Sequence, residues 1–280
     1  MSNTHPAGPA FAAAGDGTRI AYRRFGRRGS RQRILLLHSL AMDGLFWEPV
    51  ADRLAGEADI VAVDCRGHGL SGKPAGPYHA AQFADDVRAV CTAIGFGPAV
   101  VAGASMGGCV ALQFAASHPG STCALGLFDT TAWYGPTAPA DWRQRADKAR
   151  AEGLRALVGF QSTRWFSDAF REAHPDVLAR AVDTFLRNDV EAFASTCGML
   201  GDFDGRALLA DIAVPTAILV GEDDYATPVA MAQVLHGGIA GSTLDVLPGA
   251  RHLTPLEHTD AVADALRGLL ARSRTTQTQE

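Results

Sequence analysis

Short apolar runs alternate with helical repeats along the first half of the chain. Four runs have the continuous apolar character of strands that are buried on both faces of a sheet, at residues 34–37, 60–63, 99–102 and 125–128. Between them, apolar residues recur at helical spacing at 46–54, 79–94 and 106–116. This alternation of strands and helices predicts a parallel sheet with helices on both faces.

The same pattern indicates how the sheet begins and where it is interrupted. Asp16 and Gly17 lie between two short runs at 11–14 and 19–25, which favours a β-hairpin. From 132 to 210 only helical repeats occur, at 142–152, 154–166, 175–186 and 190–200. Strands resume at 217–220 and 244–247, and a last helix is predicted at 259–271.

These segments predict an α/β core formed by residues 11–131 and 211–273, with a helical cap at 132–210 inserted into it. Residues 1–10 and 274–280 are predominantly polar or small, and we expect both ends to be disordered.

Composition and charge exclude several classes of protein. The 280 residues are 47% hydrophobic, but no apolar run approaches the roughly 18 residues that a membrane helix needs. The formal net charge is −5 and the arginine-rich stretch at 23–33 surrounds a predicted turn, so we expect neither a nucleic-acid partner nor a membrane partner. Five cysteines without metal-type spacing favour free thiols, and residues 1–10 lack a secretory pattern, which predicts a cytoplasmic protein. Nothing in the pattern indicates the oligomeric state.

A candidate nucleophile follows one of the buried strands. The segment Gly103-Ala104-Ser105-Met106-Gly107 matches the pattern G-x-S-x-G, between a predicted strand and a predicted helix. A sharp strand-to-helix turn at Ser105 would need glycine two residues away on each side, because side chains there would collide. The context predicts that the Ser105 hydroxyl stands above the edge of the sheet.

A serine hydroxyl needs a base, and the base needs an orienting carboxylate. His252 follows the last predicted core strand, and loops after parallel strands reach the same edge of a sheet as Ser105. Carboxylates that could orient it follow two other strands: Glu222, Asp223, Asp224 and Asp129. A tetrahedral intermediate would also need two N–H donors. We expect these from the backbone of Met106 and, in the loop after 34–37, of Leu40.

Several motifs together resemble the α/β-hydrolase superfamily over nearly the whole chain. They are Leu37-His38-Ser39-Leu40, Asp64-Cys65-Arg66-Gly67-His68-Gly69, the Ser105 segment extended to Gly108, residues 221–228, and Pro248-Gly249-Ala250-Arg251-His252. The resemblance implies an α/β-hydrolase fold with a mostly parallel eight-stranded sheet, helices on both faces and an inserted helical cap. It selects Asp224, four residues before Pro228, as the acid, and Leu40, two residues after His38, as an oxyanion donor. The resemblance implies no cofactor and no metal.

Within that superfamily the chain is most similar to 3-oxoadipate enol-lactonases. The similarity rests on the loop at 38–40, the segment 130–133 after the sixth strand, and the cap segments 164–166, 170–171 and 197–200. Met106 departs from the leucine that is commoner after the serine in that group. Methionine there also suits esterases and cofactor-free haloperoxidase-like relatives, for which perhydrolysis would be a side activity.

The cap is expected to cover Ser105 and to form the substrate pocket. The candidate substrate-binding residues are Trp133, Arg164, Trp165, Phe166 and Met42. An apolar pocket with one guanidinium suits a small ester, or a lactone that carries an acid, such as 3-oxoadipate enol-lactone. The predicted function is hydrolysis of such a small molecule by water through an acyl-enzyme on Ser105. Two alternatives remain, a carbon–carbon bond hydrolase on the same residues and a weakly hydrolytic, receptor-like ligand-binding protein.

Overall fold

The centre of the molecule is one eight-stranded sheet, seen in a computed structural model that describes residues 8–277. The strands are β1 (Ala10–Ala13), β2 (Arg19–Gly26), β3 (Arg33–Leu37), β4 (Asp59–Val63), β5 (Ala99–Ala104), β6 (Thr122–Phe128), β7 (Thr216–Gly221) and β8 (Thr243–Leu247). Their order across the sheet is β1-β2-β4-β3-β5-β6-β7-β8. Only the β1–β2 and β2–β4 pairs are antiparallel. The predicted hairpin and the mostly parallel sheet are therefore confirmed.

The register of the parallel strands brings two sequence motifs side by side. Leu37, at the end of β3, pairs with Gly103 near the end of β5. The loop that begins at His38 and the turn at Ser105 consequently leave the sheet at the same edge. β4, β5 and β7 are buried along their whole length, which explains their continuous apolar runs.

Eleven α-helices connect and cover the strands within residues 8–277. They are α1 (Glu48–Arg53), α2 (Ala80–Ala93), α3 (Met106–Ser117), α4 (Ala138–Glu152), α5 (Val158–Trp165), α6 (Asp168–Ala173), α7 (Pro175–Leu186), α8 (Val190–Asp202), α9 (Val229–Gly238), α10 (Thr254–Glu257) and α11 (Thr259–Gln277). Both α3 and α11 contact β5 and β6, and each packs beside a different helix, α2 and α1 respectively. The sheet is thus covered on both faces, as predicted.

The helices α4 to α8 all lie between β6 and β7 in the chain, which confirms a helical insertion in the α/β core. α4 packs along α8 and holds the insertion together. The division of the chain at 132 and 210 stays a prediction, as do the core segments 11–131 and 211–273.

Local signals explain where the helices differ from the sequence pattern. α4 begins at Ala138, before the expected residue 142, because Pro139 is favourable in a first helical turn. α6 was not predicted, although Ser167 caps it by accepting from the N–H of Phe170 at 3.2 Å. α9 was also missed, and it supplies the crossover that parallel strands β7 and β8 require.

The expectation of disorder at residues 1–10 and 274–280 stays a prediction. Residues 274–277 continue α11, since nothing between Ala271 and Gln277 is a glycine or proline that would stop a helix. Residues 8 and 9 precede β1 and are exposed. The remaining positions, 1–7 and 278–280, lie outside the described residues. No helix within 8–277 has the length and apolar character needed to cross a membrane.

Candidate active site

Ser105 lies in a sharp turn between a strand and a helix. β5 ends at Ala104, α3 begins at Met106, and Ser105 between them has φ 54° and ψ −118°. A positive φ is strained for a residue with a side chain, and it persists only where the surrounding structure imposes it. The turn holds the Ser105 side chain at the edge of the sheet, where the residue is 6% exposed.

Glycines on both sides of Ser105 make this turn possible. A Cβ on Gly103 would lie 2.0 Å from the carbonyl oxygen of Gly107, and a Cβ on Gly107 would lie 2.1 Å from that of Leu37. Both distances are far inside van der Waals contact, so no other residue fits. Thr130 holds the turn from a third direction, because its hydroxyl donates to the carbonyl oxygen of Ser105 at 2.7 Å.

The imidazole of His252 connects Ser105 to a buried carboxylate. Nε2 of His252 lies 2.8 Å from Oγ of Ser105, and Nδ1 lies 2.7 Å from Oδ2 of Asp224. An ionised carboxylate only accepts hydrogen bonds, so Nδ1 carries the proton and Nε2 accepts from the serine hydroxyl. All three side chains are buried. This is the geometry that activates a serine nucleophile.

The loop after β7 keeps the Asp224 carboxylate ionised. Its oxygens accept hydrogen bonds from the N–H groups of Ala226 at 2.7 Å and Thr227 at 2.9 Å, and from the Thr227 hydroxyl at 2.9 Å. Burial alone would raise the pKa of Asp224, but the electrostatic interaction and hydrogen bond with His252, together with the N–H groups of Thr227 and Ala226, lower it below its usual value. The group therefore stays an anion that orients the imidazole.

The other candidate carboxylates do not contact His252. Asp223 and Glu222 are exposed. Asp129 is fully buried, but its oxygens accept from the N–H of Gly221 at 3.3 Å and from the N–H and hydroxyl of Thr254 at 3.0 and 2.6 Å. Burial, followed by the charge of Asp224, raises the pKa of Asp129 well above its usual value. Asp129 thus ties the loop after His252 to the end of β7.

Two backbone N–H groups near Ser105 are available to an incoming anion. Within residues 8–277, neither the N–H of Met106 nor that of Leu40 donates a hydrogen bond to another protein group. Leu40 lies in a loop fixed by His38, whose Nδ1 bonds the carbonyl oxygen of Ser39 at 2.8 Å while Nε2 accepts from the N–H of Cys65 at 3.0 Å. Both free donors belong to segments that leave the same edge of the sheet as Ser105.

Ser105 opens into a small cavity of about 50 Å³ between the sheet edge and the cap. The cavity is lined by Ser39, Leu40, Ser105, Tyr134, Trp142, Arg145, Gln161, Arg164, Trp165, Ala226 and His252. Five of these residues also line an outer cavity of about 480 Å³, namely Tyr134, Trp142, Arg145, Arg164 and Ala226. The two cavities therefore adjoin along a wall formed largely by α4 and α5.

A comparison with protein families decides what class of protein carries this arrangement. Residues 34–265 match the model of the Alpha/beta hydrolase family. The chain belongs to the alpha/beta hydrolase family. The match includes the turn at Ser105, the loop with Asp224 and the loop with His252.

Individual relatives of this hydrolase were also found. The chain is 30% identical to 3-oxoadipate enol-lactonase 2 of Acinetobacter baylyi, over 90% of this chain and 93% of that protein. It is similar to the crystal structure of the enol-lactonase from Burkholderia xenovorans LB400, with a TM-score of 0.89, 34% identity, and coverage of 94% of this chain and 100% of that one. A thermophilic esterase from Thermogutta terrifontis has a TM-score of 0.88 and 27% identity, with coverage of 95% and 99%.

The predicted substrate-binding residues of this hydrolase differ in whether they line the cavity at Ser105. Arg164 and Trp165 line the cavity at Ser105. Trp133 does not, because it pairs with Asp204 and its ring lies 3.8 Å from the Arg206 guanidinium carbon.

Phe166 and Met42 also lie away from the cavity wall. Phe166 is fully buried and stacks on Phe170 at 5.1 Å between ring centroids. Met42 lines a separate groove between α7 and the segment at 42–53. None of Trp133, Phe166 and Met42 lines this cavity, and their role in substrate binding stays a prediction.

Sequence reasoning missed four side chains that line the cavity: Tyr134, Trp142, Arg145 and Gln161. Trp142 and Arg145 are three residues apart in α4, a spacing that places two side chains on one face of a helix. That spacing was a usable signal. No local signal shows which face of α4 turns towards Ser105, since the packing of α4 on α8 decides it.

In the described part of the chain, the remaining histidines, cysteines and acids form no candidate metal centre. Among residues 8–277, no group of three or more His, Cys, Asp or Glu side chains could hold a metal ion. The five cysteines are free thiols in the structure, as the sequence predicted.

Proposed function

We propose that this protein is a serine hydrolase that cleaves a small carboxylic ester or lactone through an acyl-enzyme on Ser105. The observation that carries the proposal is the continuous hydrogen-bonded chain from Asp224 through His252 to Ser105. The two unpaired N–H groups of Leu40 and Met106 support it, because acyl transfer needs donors for a developing oxyanion.

Acylation begins when Nε2 of His252 takes the proton from Oγ of Ser105. Oγ then forms a bond to the carbonyl carbon of the substrate, and the carbonyl oxygen becomes an anion beside the N–H groups of Leu40 and Met106. When the carbonyl re-forms, the ester C–O bond breaks and the leaving oxygen takes the proton from His252. For a lactone the leaving oxygen stays attached to the acyl group.

Deacylation repeats these steps with water. His252 accepts a proton from the water molecule, whose oxygen attacks the acyl carbon, and then returns a proton to Oγ of Ser105. The acid product leaves and the free serine is restored. Throughout, Asp224 stabilises the positive charge that forms on the imidazole.

The similarity to the Acinetobacter baylyi and Burkholderia xenovorans enol-lactonases makes 3-oxoadipate enol-lactone the first substrate to test. Similarity to a thermophilic esterase makes simple esters the second class. The experiment compares purified protein and Ser105→Ala on the enol-lactone, on p-nitrophenyl esters of increasing chain length, and on a dienoate diketone that reports carbon–carbon hydrolysis.

We expect turnover of at least one ester or lactone, and a loss on the order of 10⁶-fold in kcat in Ser105→Ala. A fluorophosphonate probe should label the wild type and leave Ser105→Ala unlabelled, with matching circular dichroism of the two proteins as the control for folding. Full ester turnover by Ser105→Ala would overturn the proposal. Turnover of the diketone alone would favour carbon–carbon hydrolysis, and tight ligand binding without turnover would favour a receptor-like protein.

A further inference from the structure

The loop after β3 contains a tight turn in which a residue with a side chain has a positive φ. The N–H of Met42 donates to the carbonyl oxygen of Ser39 at 3.1 Å, so Leu40 and Ala41 are the central residues of the turn. Ala41 has φ 60° and is fully buried. Turns with a positive φ at this position ordinarily use glycine, because a Cβ strains the backbone there.

Such strain persists only where the surrounding structure imposes it. Within residues 8–277, two other residues besides glycine have a positive φ, Ser105 and Asp129. Each of them is fixed by a threonine: Thr130 donates to the carbonyl oxygen of Ser105, and Thr254 donates to the carboxylate of Asp129. A comparable hydrogen bond from another part of the chain is therefore expected at the turn of Ala41.

Asn188, which follows α7, supplies this hydrogen bond. Its Nδ2 donates to the carbonyl oxygen of Ala41 at 2.8 Å, across 147 positions of sequence. Nδ2 also lies 2.9 Å from the carbonyl oxygen of Thr184 and 3.1 Å from that of Phe185, so the amide is anchored to the end of its own helix. Asn188 is half-buried and does not line the cavity at Ser105.

The contact is specific to one residue of the helical insertion. Among residues 8–277, Asn188 is the only side chain between β6 and β7 that makes a hydrogen bond to residues 38–43. The adjacent Arg187 has its Nη2 atom 3.8 Å from Oδ2 of Asp43, and its side chain is 65% exposed. An ion pair of that kind contributes little, so Arg187 provides a matched comparison at the same helix end.

The conformation of Ala41 matters because its neighbour Leu40 carries one of the two unpaired N–H groups near Ser105. Without a donor at its carbonyl oxygen, Ala41 would relax towards a negative φ, and the peptide groups of the turn would rotate with it. A donor stabilises an oxyanion efficiently only when it is fixed before the charge develops.

We propose that Asn188 is a positioning residue, which holds the turn at Ala41 and thereby keeps the N–H of Leu40 in place for the oxyanion. This inference rests on the proposed hydrolase function. When Oγ of Ser105 bonds to the carbonyl carbon, its proton goes to Nε2 of His252 and an electron pair moves to the carbonyl oxygen. Asn188 acts on the stabilisation of that anion without touching the substrate, so the end of α7 couples the insertion to the chemistry.

Kinetics on a p-nitrophenyl ester separate positioning from substrate binding. Asn188→Ala should lower kcat roughly 10- to 100-fold and change KM by less than about 2-fold, because it weakens an interaction made only in the transition state. Asn188→Asp keeps the shape of the side chain but presents no N–H to Ala41, and it should lose a similar factor. Arg187→Gln is the control and should behave as wild type.

A second substitution in the turn tests whether Asn188 acts through Ala41. Glycine adopts φ 60° without strain, so a turn with Ala41→Gly no longer depends on an outside donor. In that background, Asn188→Ala should lower kcat by less than about 3-fold. A merely structural role of Asn188 would instead give the same loss in both backgrounds.

Two further readouts do not require turnover. An alkyl trifluoromethyl ketone forms a tetrahedral anion on the serine, and its inhibition constant should rise in Asn188→Ala by the same factor by which kcat/KM falls. Hydrogen exchange of the peptide that covers residues 38–43, followed by mass spectrometry, should be faster in Asn188→Ala than in wild type and unchanged in Arg187→Gln. Circular dichroism of each variant is the control for folding.

Unchanged kcat in both Asn188 variants, or a loss that Ala41→Gly does not reduce, would overturn the inference. A rise in KM without a fall in kcat would also overturn it, since it would make Asn188 a substrate-binding group. In these cases the proposed function would still stand if wild-type turnover depended on Ser105. Absence of both turnover and ketone binding in the wild type would overturn the proposed function and this inference with it.

Discussion

The Nε2 atom of His252 lies 2.8 Å from Oγ of Ser105, although 147 residues of sequence separate the two. Neither residue belongs to the cap, yet the cap is bonded to the loop that carries the histidine. The N–H of His252 donates to the carbonyl oxygen of Arg164 at 3.3 Å, and the N–H of Leu253 donates to that of Trp165 at 3.0 Å. The end of α5 thus helps to hold the imidazole in place.

Replacement of each acid in turn should distinguish the role of Asp224 from that of its neighbour Asp223. Asp224→Asn is expected to lower kcat by roughly 10⁴-fold, because the amide favours the wrong imidazole tautomer. Asp223→Asn, one residue earlier and exposed, should stay close to wild type. Kinetics on a p-nitrophenyl ester measure both. The interpretation is wrong if Asp223→Asn loses as much activity as Asp224→Asn.

The raised pKa of Asp129 predicts a pH dependence of stability. The folded protein keeps the Asp129 carboxyl protonated to a higher pH than the unfolded chain does, because the pKa in the unfolded chain is near 3.8. The contribution of Asp129 to stability therefore falls as the pH rises above that value. Asp129→Asn does not titrate. The unfolding free energy of wild type minus that of Asp129→Asn should therefore decrease as the pH rises.

Urea denaturation at about pH 5 and at about pH 8 measures this difference. Asp223→Asn, which removes an exposed carboxylate, is the control and should show no comparable change. A difference between wild type and Asp129→Asn that is constant, or that grows with pH, would contradict the assignment.

A methyl group at Gly107 should disrupt the nucleophile turn. The added Cβ would meet the carbonyl oxygen of Leu37 at 2.1 Å, a backbone atom that cannot move without shifting β3. We expect Gly107→Ala to lose about 3 kcal/mol or more of unfolding free energy, or to fail to fold. Gly120→Ala has no neighbour within 4 Å and should change stability by less than about 0.5 kcal/mol. Urea denaturation compares them, and equal stability of the two variants would refute the steric argument.

Arg251 should couple the His252 loop to the cap. Its Nη1 donates to the carbonyl oxygens of Thr163 at 2.7 Å and Phe166 at 3.0 Å, and lies 2.9 Å from Oδ1 of Asp168. Arg251→Gln is expected to cost about 2 kcal/mol of unfolding free energy, since hydrogen bonds to charged groups are lost, and to lower kcat as the imidazole loses its support.

Arg171 offers a matched comparison for Arg251. It pairs with the same carboxylate, Asp168, at 2.6 Å but does not contact the His252 loop. Arg171→Gln should cost less than about 1 kcal/mol, as expected for an exposed ion pair, and leave kcat unchanged. Chemical denaturation and ester kinetics measure both variants. Equal effects of the two substitutions would show that Arg251 acts as an ordinary surface arginine.

The sequence by itself determined the features that depend on neighbours along the chain. The buried runs of β4 and β5 are continuous and apolar because both faces of those strands are covered. Gly103 and Gly107 are needed by the local geometry at Ser105, so that turn was recognisable from five residues. The loop of His252 was placed by the rule that parallel strands deliver their following loops to one edge.

Only the tertiary structure decided which side chains meet across the chain. Asp129 and Asp224 both follow core strands, and their different roles follow from their contacts, with Thr254 in one case and His252 in the other. Arg145 and Arg164 are both arginines on cap helices, yet one is engaged by Tyr225 and the other is unpaired. The physical reason is that the direction of a side chain depends on how its helix packs, and that packing is set by residues far away in sequence.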